Sequence, residues 1–305
     1  MKKILIATEK PFAPAAVAQM KKIAETASYE IVLLEKYEDK QALINAVADV
    51  DAMVIRSDKA TKDVLDAAKN LKIIIRAGAG YDNIDLAAAT ANDIVAMNTP
   101  GQNSNAVAEL ALGMMVYMAR GQYNGKSGTE LKGKRLGIHA YGNIGKIVAH
   151  LGKAFGMEVM AFDPFVEKAK IEADGIKVLN SVEELYANCE YVSLHIPANE
   201  KTKASINKTL MEKMPKNGTI INTARKEVIC EKSLKEIFAA RDDFKYASDI
   251  APDCADELKA FKNRFYATPK KMGAQTAEAN INAGIAAINQ IINYFENGDI
   301  QYKVN

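Results

Sequence analysis

Short runs of β-branched and apolar residues recur along this chain, and segments of helical periodicity separate them from one end to the other. That alternation is satisfied by βαβ units, in which parallel strands carry helices on both faces of a sheet. In the first third, Ile4–Ala7, Ile31–Leu34, Ala52–Arg56, Ile73–Arg76 and Ile94–Met97 are expected strands, with helical patterns over Val17–Ala27, Asp63–Ala68 and Leu86–Ala91. A second series places strands at Leu136–Ala140, Glu158–Phe162, Tyr191–His195, Thr219–Asn222, Tyr246–Ser248 and Arg264–Ala267. The closing segment Thr276–Phe295 has the period of a helix. With 305 residues the chain is long enough for two domains. The expected fold class is α/β, with two doubly wound parallel-sheet domains.

Charge narrows the partners. Forty basic and 38 acidic residues leave a net charge of +2 and are mixed along the chain, so no basic stripe of the kind nucleic acid requires is expected. The basic start Met1-Lys2-Lys3 and its apolar run are ended by Thr8, Glu9 and Lys10, too early for a signal peptide. No uncharged apolar stretch reaches the length of a membrane span. Cys189, Cys230 and Cys254 have neither disulfide arithmetic nor metal-ligand spacing with the three histidines. A cytoplasmic protein with reduced thiols and no metal is expected.

The segment Leu136-Gly137-Ile138-His139-Ala140-Tyr141-Gly142-Asn143-Ile144-Gly145 runs from a strand through a glycine turn into a helix. A dinucleotide pyrophosphate needs that arrangement. Gly142 lets the backbone approach the phosphates, Gly145 lets helix and strand pack closely, and the helix end supplies free N–H groups. Alanine stands at the first glycine position, Ala140, and its methyl group is tolerated where φ is negative. About twenty residues on, Asp163 ends the next strand, placed to bond the ribose hydroxyls; its charge favours NAD over NADP.

Around these landmarks the chain resembles the D-isomer-specific 2-hydroxyacid dehydrogenases, and within them the phosphoglycerate dehydrogenases. The resemblance is carried by Val54-Ile55-Arg56-Ser57, Ile75-Arg76-Ala77-Gly78-Ala79-Gly80-Tyr81-Asp82-Asn83, Met97-Asn98-Thr99-Pro100-Gly101 and the stretch from Asn103 to Leu110. It continues through Gly128–Lys134 and Ile221-Asn222-Thr223-Ala224-Arg225, in the family's order, over essentially the whole chain. It implies a flavodoxin-like substrate domain, residues 1–98 plus 276–305, interrupted by a Rossmann cofactor domain, residues 99–275, with the active site between them. A homodimer paired through the cofactor domains is also implied. Because the chain stops at Asn305, no C-terminal regulatory domain is expected.

The resemblance further implies NAD-dependent oxidation of a small D-2-hydroxy acid, with D-3-phosphoglycerate the expected substrate. Arg225 matches the family's catalytic arginine, whose planar fork holds a carboxylate and polarises a carbonyl. Arg56, Ser57 and Arg76 are expected to clamp the phosphate. Backbone N–H groups at Gly78 and Ala79 would reach the carboxylate, and Asn103 matches a pocket position. Cofactor contacts are expected from Tyr141, Gly142, Asn143, Ile144, Gly145 and Asp163, and from His195, Ile196 and Pro197. Thr223, Ala224, Asp249 and Gly273 complete that set, with Asp249 beside the nicotinamide amide.

Two departures bear on the chemistry. Where most relatives carry a histidine after Thr-Pro, this chain reads Thr268-Pro269-Lys270-Lys271-Met272-Gly273, and the position of the glutamate that orients that histidine is Cys254. His139, His150 and His195 are expected to be structural, His195 with a place at the cofactor edge. Lys270 is therefore the expected acid/base, an amine made less basic by desolvation and by the positive charges of Arg225 and NAD+. A lysine has no tautomer to fix, so the orienting glutamate becomes unnecessary. Two alternatives share most of these features: a reductase of an unphosphorylated acid such as hydroxypyruvate or glyoxylate, and a catalytically silent NAD-sensing corepressor.

Overall fold

A computed structural model describes residues 1–305. The chain divides into two compact units, Met1–Asn103 with Gln275–Asn305, and Ser104–Ala274. The first crossing falls five residues beyond the expected Asn98, because the turn after the last strand stays tied to the first unit: Thr99 N–H donates to the Gly78 carbonyl at 3.0 Å.

The first unit is a five-stranded sheet of β1 (Lys2–Thr8), β2 (Tyr29–Glu35), β3 (Ala52–Ile55), β4 (Ile73–Arg76) and β5 (Val95–Asn98), ordered β2-β1-β3-β4-β5. Every pairing is parallel, and the order is the flavodoxin-like one. Ile4, Leu5, Ile6 and Ala7 are all fully buried, as a central strand covered on both faces requires. The strand's two-residue period sends Ile4 and Ile6 to one face, against Phe12, Met20, Ala287, Ile288 and Ile291. Leu5 and Ala7 meet Leu43, Val47, Met53 and Ile55 on the other. The helices Pro14–Thr26 and Ala277–Asn297 therefore share one face, and the closing helix of the chain completes a core begun by its first strand. That closing helix starts at Thr276, whose hydroxyl accepts from Ala279 N–H at 3.1 Å, and stops at Gly298, φ +68°; both are standard end signals.

The second unit holds seven parallel strands: β6 (Arg135–His139), β7 (Glu158–Phe162), β8 (Lys177–Val178), β9 (Tyr191–Leu194), β10 (Thr219–Asn222), β11 (Lys245–Ser248) and β12 (Phe265–Ala267). Their order, β12-β11-β10-β9-β6-β7-β8, is the Rossmann arrangement with a seventh strand, and it reverses between β6 and β9. The two-residue edge strand β8 has no recognisable run in the sequence. Ile220 and Tyr246 point to the core shared with the helices Val182–Asn188, Lys208–Lys213 and Glu231–Ala240. Ile221 and Ala247 point the other way, to the helices Ser104–Ala119 and Asn143–Ala154. Because all strands run one way, the turns after β6, β7, β9, β10, β11 and β12 lie along one sheet edge, where open α/β sheets bind ligands. No helix is long and apolar enough to cross a membrane.

Candidate active site

The glycine turn opens the edge of the second unit. Gly142 is the N-cap of the helix Asn143–Ala154, with no side chain capping it and nothing within 4 Å of where a Cβ would stand. A Cβ at Gly145 would run into the Ala140 carbonyl, so close packing of helix on strand depends on that glycine. Asp163 follows β7, and its carboxylate accepts from Tyr141 N–H at 2.7 Å and Phe165 N–H at 2.8 Å, which fixes it beside the turn. The Tyr141 hydroxyl donates instead to Asp174 at 3.0 Å. Thr223 Oγ1 and both ring nitrogens of His195 are buried at this edge without a protein partner. Uncapped helix N–H groups, open space over Gly142 and a carboxylate beside the turn fit a dinucleotide.

Ala140 does not adopt the negative φ expected of it: φ is +80°. The turn demands the left-handed conformation that glycine supplies freely, and an alanine there costs about 1–2 kcal/mol. Part of this is offset because alanine restricts the unfolded chain by about 0.4–1 kcal/mol. Ala140→Gly is therefore expected to stabilise the second unit by about 0.5–1 kcal/mol. Urea unfolding checks this, and an unchanged or lower midpoint would show that the turn is not strained.

The histidines at this edge are held neutral. Burial pushes His139 down to about 4 and His195 to about 3, and His139 Nδ1 lies 3.4 Å from the Tyr186 hydroxyl. Both values fall below the unfolded value of 6.5, so the unfolded chain binds more protons and stability is lost as pH falls below 6.5. At pH 5 each histidine is expected to withdraw about 2 kcal/mol relative to pH 8. Denaturant midpoints at the two pH values test this. Equal midpoints would mean that the rings are not buried neutral.

Arg225 follows β10, half-buried. Asn222, the buried last residue of that strand, donates through Nδ2 to the Arg225 carbonyl at 2.9 Å and to the Tyr246 hydroxyl at 3.0 Å, and accepts from Ala224 N–H at 3.0 Å. Arg225 Nη1 donates only to the neighbouring Ala224 carbonyl, at 3.0 Å. Asp249, after β11, is 2% exposed and turns its carboxylate to the loop after β12, accepting from Met272 N–H at 2.7 Å and Gly273 N–H at 2.8 Å. Pro269, Lys270 and Lys271 are the exposed crest of that loop. Cys254 is buried, its thiol pushed up to about 12 by burial and by Glu231. Asn222 was missed in the sequence, where a polar residue closing an apolar strand was its one signal.

In the first unit the expected anion residues gather at the ends of β3 and β4. Arg56 donates through Nη1 to the Lys10 and Pro11 carbonyls, both at 3.1 Å, bonds Asn280 through Nη2, and stacks on Phe12. Arg76 Nε donates to the Arg56 carbonyl at 3.0 Å, and its guanidinium folds over Gly78, where any Cβ would collide with it. Ser57 and Ala79 are exposed beside them. Asn103, at the end of the unit, has a buried Oδ1 without a partner. A further residue escaped notice in the sequence: Asp58, buried, accepts from Glu9 N–H at 2.7 Å and the Tyr37 hydroxyl at 2.8 Å, tying the β1 turn to the β3 turn.

Residues 111–269 match the family described as D-isomer specific 2-hydroxyacid dehydrogenase, NAD binding domain. The chain belongs to this family. The dehydrogenase is 37% identical over 282 residues to a hydroxypyruvate reductase of Thermotoga maritima, covering 86% of this chain and 90% of that one. It is 36% identical over 269 residues to a D-3-phosphoglycerate dehydrogenase of Methanocaldococcus jannaschii, covering 83% of this chain and 51% of that one. The chain thus spans about half the length of that relative. Among solved structures, an NAD+-bound 3-phosphoglycerate dehydrogenase of Entamoeba histolytica matches with a TM-score of 0.89 and 44% identity, over 100% of this chain and 98% of that one. The uncapped helix start at Gly142, the close packing at Gly145 and the carboxylate of Asp163 are compatible with the cofactor of an NAD-binding family.

Proposed function

We propose that this dehydrogenase oxidises D-3-phosphoglycerate to 3-phosphohydroxypyruvate, the first step of serine biosynthesis. The observation that carries the reading is the Arg56–Arg76 pair, joined by the bond from Arg76 Nε to the Arg56 carbonyl. Three of the five guanidinium N–H donors of Arg56 serve Lys10, Pro11 and Asn280, which leaves two for an anion. Two fixed guanidinium groups suit a dianionic phosphate better than the short uncharged end of glycerate or lactate.

Bound NAD would supply the hydride acceptor for the hydrogen on C2 of the substrate. Arg225 grips the carboxylate with its fork and polarises the forming C2 carbonyl. Lys270 Nζ takes the proton of the C2 hydroxyl as the C2–H bond breaks and the C=O bond forms. Ser57 and the N–H groups of Gly78 and Ala79 complete the grip on the substrate, with Asn103 beside them. We also place the protein in the cytoplasm as a homodimer paired through its cofactor unit; three free thiols support the first, and light scattering tests the second.

A second reading, reduction of hydroxypyruvate or glyoxylate, is favoured by one observation: the hydroxypyruvate reductase relative is matched over nearly its whole length. The deciding experiment is NADH formation with D-3-phosphoglycerate, D-glycerate and D-lactate in parallel. Turnover confined to the phosphorylated acid is the expected result. Preference for D-glycerate would move the second reading to the front.

A further inference from the structure

We infer that Asp249 is a positioning residue for Lys270: its buried carboxylate holds the 268–273 loop from beneath and fixes where the lysine stands. The inference rests on the proposed role of Lys270. One oxygen of Asp249 accepts from Met272 N–H at 2.7 Å and the other from Gly273 N–H at 2.8 Å. The Thr268 hydroxyl donates to the Asp249 carbonyl at 2.6 Å. These three donors flank Pro269, Lys270 and Lys271, which are exposed, so the bonds to Asp249 anchor the loop on both sides of the lysines.

The residue types on both sides fit the task. Each carboxylate oxygen faces an N–H, so an asparagine would set its NH₂ against one of them, donor to donor. Only the acid satisfies both amides, and a buried carboxylate is tolerated only with such bonds. The partner position is equally constrained. A Cβ at Gly273 would stand 2.8 Å from Asp249 Oδ2 and 3.3 Å from a Val107 methyl group, so glycine is required for the approach.

The clamp also reaches Arg225. Asp249 N–H donates to the Asn222 carbonyl at 2.9 Å, and the Asn222 side chain holds the Arg225 carbonyl. Both functional loops are thus fastened to one pair of adjoining buried residues, Asn222 and Asp249. The acid acts on the backbone that carries the amine.

Asp249→Asn, Lys270→Met and the double variant test this, with kcat, KM and amide hydrogen exchange at Met272 and Gly273 measured for each. Asp249→Asn is expected to speed exchange at both amides and to lower kcat by about 10- to 100-fold, the effect of a misplaced group, with KM little changed. In the Lys270→Met background it should lower kcat no further. Gly273→Ala, which keeps the acid but denies its approach, should reproduce the exchange and kcat changes. Equal losses in both backgrounds, unchanged exchange, or a fully active Asp249→Asn enzyme would overturn the inference. A fully active Lys270→Met enzyme overturns the reading of Lys270 and the inference together. That result differs from failure of the positioning role alone, in which Lys270→Met is crippled and Asp249→Asn is not.

Discussion

Replacing Lys270 with methionine is expected to lower kcat by about 10²–10⁴-fold, the usual contribution of a positioned acid/base, with little change in KM. Methionine keeps the reach of the side chain and removes its proton. No histidine can take over near neutral pH: His139 and His195 are held at about 4 and 3 by burial, and His150 sits exposed on the helix Asn143–Ala154. Cys254, at the position where the family resemblance implies a glutamate, is a thiol pushed up to about 12. Steady-state kinetics with the preferred acid decides the matter. A variant with near wild-type kcat would remove Lys270 from the chemistry and direct attention to Lys271, one residue away on the same crest.

Arg225→Ala should reduce kcat/KM by about 30- to 5,000-fold, the loss of 2–5 kcal/mol that follows truncation of one partner in a desolvated charge pair. Stability should barely move. The guanidinium bonds only its neighbour's carbonyl within the chain, and the loop is held through the backbone by Asn222, which the substitution leaves in place. Arg225→Lys should recover only part of the loss, since an ammonium keeps the charge without the fork. The prediction fails if activity and unfolding midpoint fall together, because Arg225 would then be supporting the fold rather than gripping substrate.

The sheet architecture was legible because buried parallel strands leave continuous apolar runs, as Ile4–Ala7 does in β1. β8 was not, since a two-residue edge strand, Lys177–Val178, has no pattern to read. The glycine turn, Asp163 and Arg225 were legible as motifs whose types and spacing are tied to strand ends. What stayed hidden were the residues that hold those motifs in place. Asn222, Asp58 and the commitment of Asp249 to the Met272 and Gly273 amides are three-dimensional pairings, and no periodicity or spacing announces them. Ala140 shows the opposite limit: the residue type was plain, but its φ of +80° is imposed by the turn.

The interrupted layout of the first unit has a consequence for synthesis. The face of β1 bearing Ile4 and Ile6 is finished by Ala287, Ile288 and Ile291, which leave the ribosome only after the whole of Ser104–Ala274 has been made. The first strand to emerge is thus the last to be fully covered. At about 5–20 residues per second, an apolar surface stays open for on the order of 15–60 s, during which the second unit can fold completely. Nascent chains of this protein should therefore draw chaperones to their first hundred residues, and shortening the chain before the helix Ala277–Asn297 should make that attachment permanent.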